Sequence, residues 1–63
     1  MGNNLTVTLQ EYKVGEEPHS KWRIYDSETG EIFFDGMYNF NIAYDKCLEN
    51  DFRPVDVVTG IVY

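Results

Sequence analysis

Apolar and polar positions along this chain alternate with a period of two over most of its length and switch once to a helical period. Residues 5–12 (LTVTLQEY) put Leu5, Val7 and Leu9 on one face and Thr6, Thr8 and Gln10 on the other. That is the pattern of a half-buried strand. Gly15, Pro18 and Ser20 mark a loop, after which KWRIYD alternates again, with Trp22 and Ile24 inward and Lys21, Arg23 and Tyr25 outward. SETG predicts a tight hairpin connection in which Gly30 takes a left-handed backbone position. EIFFD completes the hairpin, with Ile32 and Phe34 on one face and Glu31, Phe33 and Asp35 on the other.

Gly36 breaks this strand, and a helix is expected from about Asn39 to Asn50, with Asn39 as N-cap and Asn50 closing it ahead of Pro54. VDVVTGIVY is rich in β-branched residues and reads as a last strand, with Gly60 allowing a bend or bulge. The expectation is one α+β domain over residues 1–63: a small antiparallel sheet of three to four strands, order β-β-β-α-β, with one helix packed on it. The helix is apolar in two directions. Phe40, Ala43, Tyr44 and Cys47 share one face, whereas Ile42, with Tyr38 a turn earlier, points almost the opposite way. The pattern alone does not decide which face is inward, and either choice leaves aromatic or aliphatic side chains exposed, a usual mark of an interface.

Size sharpens this point. A chain of 63 residues buries only about 60% of its unfolded surface, so a further source of burial is favoured. Cys47 is the lone cysteine, which excludes an internal disulfide, and no Cys/His spacing suggests zinc. The five Tyr, four Phe and one Trp raise apolar burial per residue. A homodimer would extend the core further and is expected.

Eleven acidic against five basic residues give a net charge of −6, the wrong sign for direct nucleic-acid binding. Such a surface steers towards basic partners, although solubility alone explains many acidic domains. The first ten residues carry no basic n-region or long apolar run, and nothing reaches transmembrane length. Cytoplasmic residence with a reduced thiol is expected. Met1-Gly2 has only Thr6 in support of myristoylation, which is discounted.

No catalytic constellation stands out. His19 has no Ser or Cys partner in a strained turn, and there is no glycine-rich phosphate loop. Glu16-Glu17 lies in a loop where solvation is the ordinary role. Asp26-x-Glu28-x-Gly30 fails as a calcium loop, because its glycine falls one place early and the twelfth position is Met37. Cys47, on the apolar helix face, reads as a buried inert thiol. The chain is thus expected to be a non-enzyme without metal or cofactor, and its chemistry to lie on its surface. Tyr25, Glu31, Phe33 and Asp35 line the expected outer face of the hairpin. Alternate residues there lie about 7 Å apart, comparable to neighbouring phosphates. Any acidic antiparallel strand has that pattern on its solvent face, so spacing alone favours the plainer reading.

The helix motif Phe40-Asn-Ile-Ala-Tyr44, the acidic hairpin IYDSETGEIFFD and the β-branched last strand together resemble the small dimeric uracil-DNA glycosylase inhibitors of Bacillus phages. The resemblance covers roughly residues 21–63 and rests on short motifs. Asn41 stands where the family carries an acidic residue, and the connection from hairpin to helix is shorter. It implies a dimer that mimics DNA and plugs the enzyme's DNA-binding groove. By resemblance, Phe40 lines an apolar pocket for the enzyme's minor-groove wedge and Tyr44 supports it. Hairpin acids such as Asp35 stand in for phosphates, and Tyr38 and Asn41 are counted with them among the expected partner-binding residues. Ile42 and Ala43 would then pack the helix on the sheet. The alternatives are an acidic inhibitor of another nucleic-acid-processing protein (a nuclease, restriction enzyme or CRISPR effector) or a generic interaction module.

Overall fold

A computed structural model describes residues 5–63. The Met1-Gly2 dipeptide considered above lies outside the described residues. Four strands, β1 (Thr6–Lys13), β2 (Lys21–Asp26), β3 (Ile32–Met37) and β4 (Arg53–Val62), and one helix, α1 (Phe40–Glu49), follow in the order β-β-β-α-β. The strands form a single sheet in the order β3-β2-β1-β4. The α+β class and element order are those the sequence implies.

The sheet is mixed rather than wholly antiparallel. β1–β2 and β2–β3 pair antiparallel, but β4 pairs parallel to β1. The cause is the connection: α1 carries the chain back across one face of the sheet, so β4 sets out in the direction in which β3 ran, as parallel crossovers require.

The core lies between the helix and one sheet face. Val7, Leu9, Trp22, Ile24, Met37, Ala43 and Cys47 are buried together, with Phe33, Phe34 and Phe52 packed partly against them. Leu9 stands opposite Ile24 across β1 and β2, so the alternation predicted for these strands holds. It fails in β3, where Tyr25 faces Ile32 but Ile24 faces Phe34. Two residues of β3 therefore span one step of β2, a bulge at Phe33. The bulge lets Phe33 join Phe34 against the core, where its ring stacks on Phe52 at 5.0 Å. Phe33 is thus corrected from the outer face to the core margin, whereas Ile32, expected inward, is exposed. A second shift lies between Phe34 and Met37, around Gly36 at φ 77.

Both ends of the helix are fixed by local hydrogen bonds. Asn39 Oδ1 accepts from the Ile42 N–H at 2.9 Å, satisfying one of the donors that a helix start leaves free. At the other end the Phe52 N–H reaches back to the Cys47 carbonyl at 2.9 Å and the Asp51 N–H to Leu48 at 3.4 Å. This is a Schellman closure, with Asp51 in the left-handed position at φ 57, a place that glycine normally fills. It also turns Phe52 back against Phe33 and Phe34.

Asn39→Ala is expected to cost about 1 kcal/mol, while Asp51→Gly should add about 0.5 kcal/mol by relieving the left-handed position. Urea titrations of the two variants check both signs. A second expectation concerns the fully buried Cys47 thiol, whose pKa burial pushes up. It should react with an alkylating reagent no faster than the protein opens, and at the free-thiol rate in denaturant.

Candidate protein-binding surface

Helix geometry decides what is left on show. Ala43 and Cys47, four residues apart, are the buried pair that seats α1 on the sheet. Residues 40, 44 and 48 recur at the same spacing along the adjoining flank, and they are Phe40, Tyr44 and Leu48, exposed by 38%, 41% and 59%. The Phe40 and Tyr44 rings stack with centroids 5.9 Å apart, and the Trp22 indole meets Phe40 nearly edge-on at 5.3 Å. Phe40 is thus braced from the core by an aromatic partner, while its outer surface and that of Tyr44 face water. Tyr38, in the turn before the helix, is 78% exposed.

Ile42 is exposed, contrary to the packing role that the resemblance assigned it. Lys46 occupies the neighbouring part of the surface, its ammonium 5.7 Å from the Phe34 ring centre and 3.9 Å from Glu49. Asn41, Asp45 and Glu49 are exposed as well, so carboxylates border the apolar flank. Leu48 and Asp45 were absent from the sequence-derived site. The four-residue repeat from Phe40 to Leu48 was the signal for the first of them.

The opposite sheet face carries a different set of residues. Tyr12, though aromatic and on the face shared with Thr8 and Gln10, is buried. Arg23 covers its ring, the guanidinium carbon 3.9 Å from the centroid, and Tyr63 meets it edge-on at 6.0 Å. The Tyr12 hydroxyl donates to Asp35 Oδ1, which lies 3.7 Å from Arg23 Nε. Gln10 Nε2 donates to the Tyr63 hydroxyl at 3.3 Å. Arg23 Nε itself is buried without a hydrogen bond, so its contact with Asp35 is an ion pair, beside the stacking of the guanidinium on Tyr12. Thr8, also buried, shares a hydrogen bond with Ser27 at 2.9 Å.

This arrangement divides the sequence-derived site. Phe40, Tyr44, Tyr38 and Asn41 belong to the helix and its approach. Tyr25 pairs with Thr8 and so shares the back face with Arg23. Asp35 is committed there to Tyr12 and Arg23. Glu31 lies at the hairpin connection, its N–H on Thr29 Oγ1 at 3.2 Å. Asp35 and Phe40 therefore do not form one surface. The reason is alternation: Asp35 projects from the sheet face that the helix does not cover.

Among the described residues there is no pocket, and no group of three His, Cys, Asp or Glu is placed to hold a metal ion. No helix among them is long and apolar enough to cross a membrane. The chain matches no family model, no curated protein and no solved structure.

Burial and the hydrogen bond to Asp35 raise the Tyr12 pKa above 10.0. In the unfolded chain that phenol ionises near the ordinary value. The stabilisation it represents is therefore present below about pH 10 and is lost as pH rises through the folded value. The stability difference between wild type and Tyr12→Phe should shrink above about pH 10 in paired urea titrations. A difference that widens there contradicts the assignment.

Proposed function

We propose that this chain is a non-enzymatic, acidic protein-binding module whose contact surface is the Phe40–Tyr44 flank of the helix. The observation that carries this reading is the stacked and exposed Phe40–Tyr44 pair, with Tyr38 and Leu48 beside it. Large rings left in water cost free energy that a partner recovers on covering them. Aromatic anchors of this kind supply most of the binding energy in interfaces. The net charge of −6 adds steering towards a positively charged partner.

In its specific form the module blocks the nucleic-acid groove of a DNA- or RNA-handling enzyme, and the target to test first is uracil-DNA glycosylase. Such a groove is basic and holds an apolar wedge where a base is flipped. A carboxylate-bordered aromatic flank offers complements to both. Asp45 and Glu49, which border the flank, are better placed than Asp35 to meet the basic groove. One copy has no pocket among its described residues, so capture of a wedge needs a second copy whose Phe40 and Tyr44 close the other side. The module accordingly works as a homodimer, in the cytoplasm of the cell that contains the target.

The test is a glycosylase assay on uracil-containing DNA with and without the protein. Inhibition is expected, and Phe40→Ala should weaken it by about 2 kcal/mol or more. Undiminished inhibition by folded Phe40→Ala removes the surface assignment. Absence of inhibition by the wild type removes the glycosylase. The broader reading then rests on whether a basic nucleic-acid enzyme binds the wild type and not Phe40→Ala.

A further inference from the structure

We propose that the outer edge of β4 is a second binding surface, which accepts an extended basic segment of a partner protein as an added strand, with Asp56 as its gate. This inference is independent of the helix flank, because the edge belongs to a different element.

The two edges of the sheet are unlike. β3 is short, bulged at Phe33 and shifted in register around Gly36, which leaves little regular backbone for pairing. β4 has ten residues and borders β1 on one side, with no further strand on the other among the described residues. Its own register shifts lie between the partners of Val7 and Thr8 and between those of Gln10 and Tyr12, so its unbroken run is Asp56–Val58. Its sequence from Pro54 to Val62 is dominated by Val, Thr and Ile, and Val55, Val57 and Val62 are exposed. The unbroken run at Asp56–Val58 is the part of this open edge that can template strand addition.

Asp56 is the one charged side chain between Pro54 and Tyr63, and its position decides the occupant. Its Oδ1 accepts the N–H of Val57 at 3.0 Å. A carboxylate on that N–H does two things. It occupies a backbone donor that an incoming strand would use, and it places a negative charge against any strand that approaches. A second copy of this chain would bring another Asp56 to this edge, so it is disfavoured there. A strand with Lys or Arg opposite Asp56 can draw the carboxylate into an ion pair, release the Val57 N–H and take it up with its own carbonyl. Asp35 holds the Gly36 N–H in the same way on the other edge, at 2.7 Å. There the register shifts at Phe33 and around Gly36 leave no unbroken run of three paired residues to open.

The experiment uses a capped alternating Lys-Val peptide as the probe, with a Glu-Val peptide as its counterpart, followed by amide chemical shifts and by titration. The Lys-Val peptide should perturb the amides of residues 55–62 and leave those of residues 40–48 unchanged, and the Glu-Val peptide should bind at least about tenfold more weakly. Val57→Pro, which removes the N–H, should weaken Lys-Val binding by about tenfold or more. Asp56→Val should abolish the preference between the two peptides and raise the tendency of the chain to self-associate. Perturbation centred on the helix, equal binding of both peptides to the wild type, or no binding of the Lys-Val peptide overturns the proposal. The shift map reads the wild-type protein, so it decides the matter even if Val57→Pro does not fold.

Discussion

The arrangement depends on how narrowly the helix is attached. A two-sided anchor would need bulky side chains over a wide arc, but the stripe of α1 that is buried consists of Ala43 and Cys47. Small side chains at these positions let the helix backbone approach the sheet closely over Leu9 and Ile24. They also use up little of the helix circumference. Everything beside that stripe has to find another partner or stay in water. Phe40 finds half a partner in Trp22, Tyr44 leans on Phe40, and Leu48 has solvent. The exposed aromatic flank is thus a direct result of a thin helix–sheet contact.

The two sheet faces resolve the same shortage of chain in different ways. Under the helix, apolar side chains are buried by a second layer. On the back face there is no second layer among the described residues, and burial comes from the sheet's own long side chains. Arg23 lies across Tyr12, Tyr63 stands against it, and Asp35 accepts a hydrogen bond from its hydroxyl. An Arg that spreads its planar group on a ring keeps its charge near water while shielding the ring. Asp35 is thereby occupied within the domain, whereas Asp45 and Glu49 lie exposed on the helix.

Much of this was legible in the sequence. Strict alternation in residues 5–10 and 21–26 identified Leu5, Val7, Leu9, Trp22 and Ile24 as the inward set; the last four are core, and Leu5, which precedes β1, is exposed. Asn39 and Asn50 are the caps of α1, because short polar side chains beside an apolar helical period have few other roles. Gly30, at φ 81, takes the left-handed hairpin position expected of it. What escaped the sequence was governed by contacts distant along the chain. The bulge that turns Phe33 inward exists because Phe52, brought back by the Schellman turn, offers it a ring to stack on. The parallel pairing of β4 depends on the path of α1 over the sheet, which alternation does not encode. Tyr12 joined Arg23, Asp35 and Tyr63 across as many as 51 positions, so no local pattern announced it. The helix flank was half legible: the Phe40–Tyr44 spacing was visible, but the inward face became known only through Ala43 and Cys47.

The central claim is that Tyr44 is held in the fold by little and is therefore available to a partner. The urea-unfolding free energy of Tyr44→Ala against wild type, at a protein concentration where both are monomeric, tests it most directly. A loss of about 1 kcal/mol or less is expected, the size of a partly exposed stacking contact. A loss of about 3 kcal/mol or more, the scale of a buried aromatic ring, would mean that Tyr44 is part of the core and that the flank is not a binding surface.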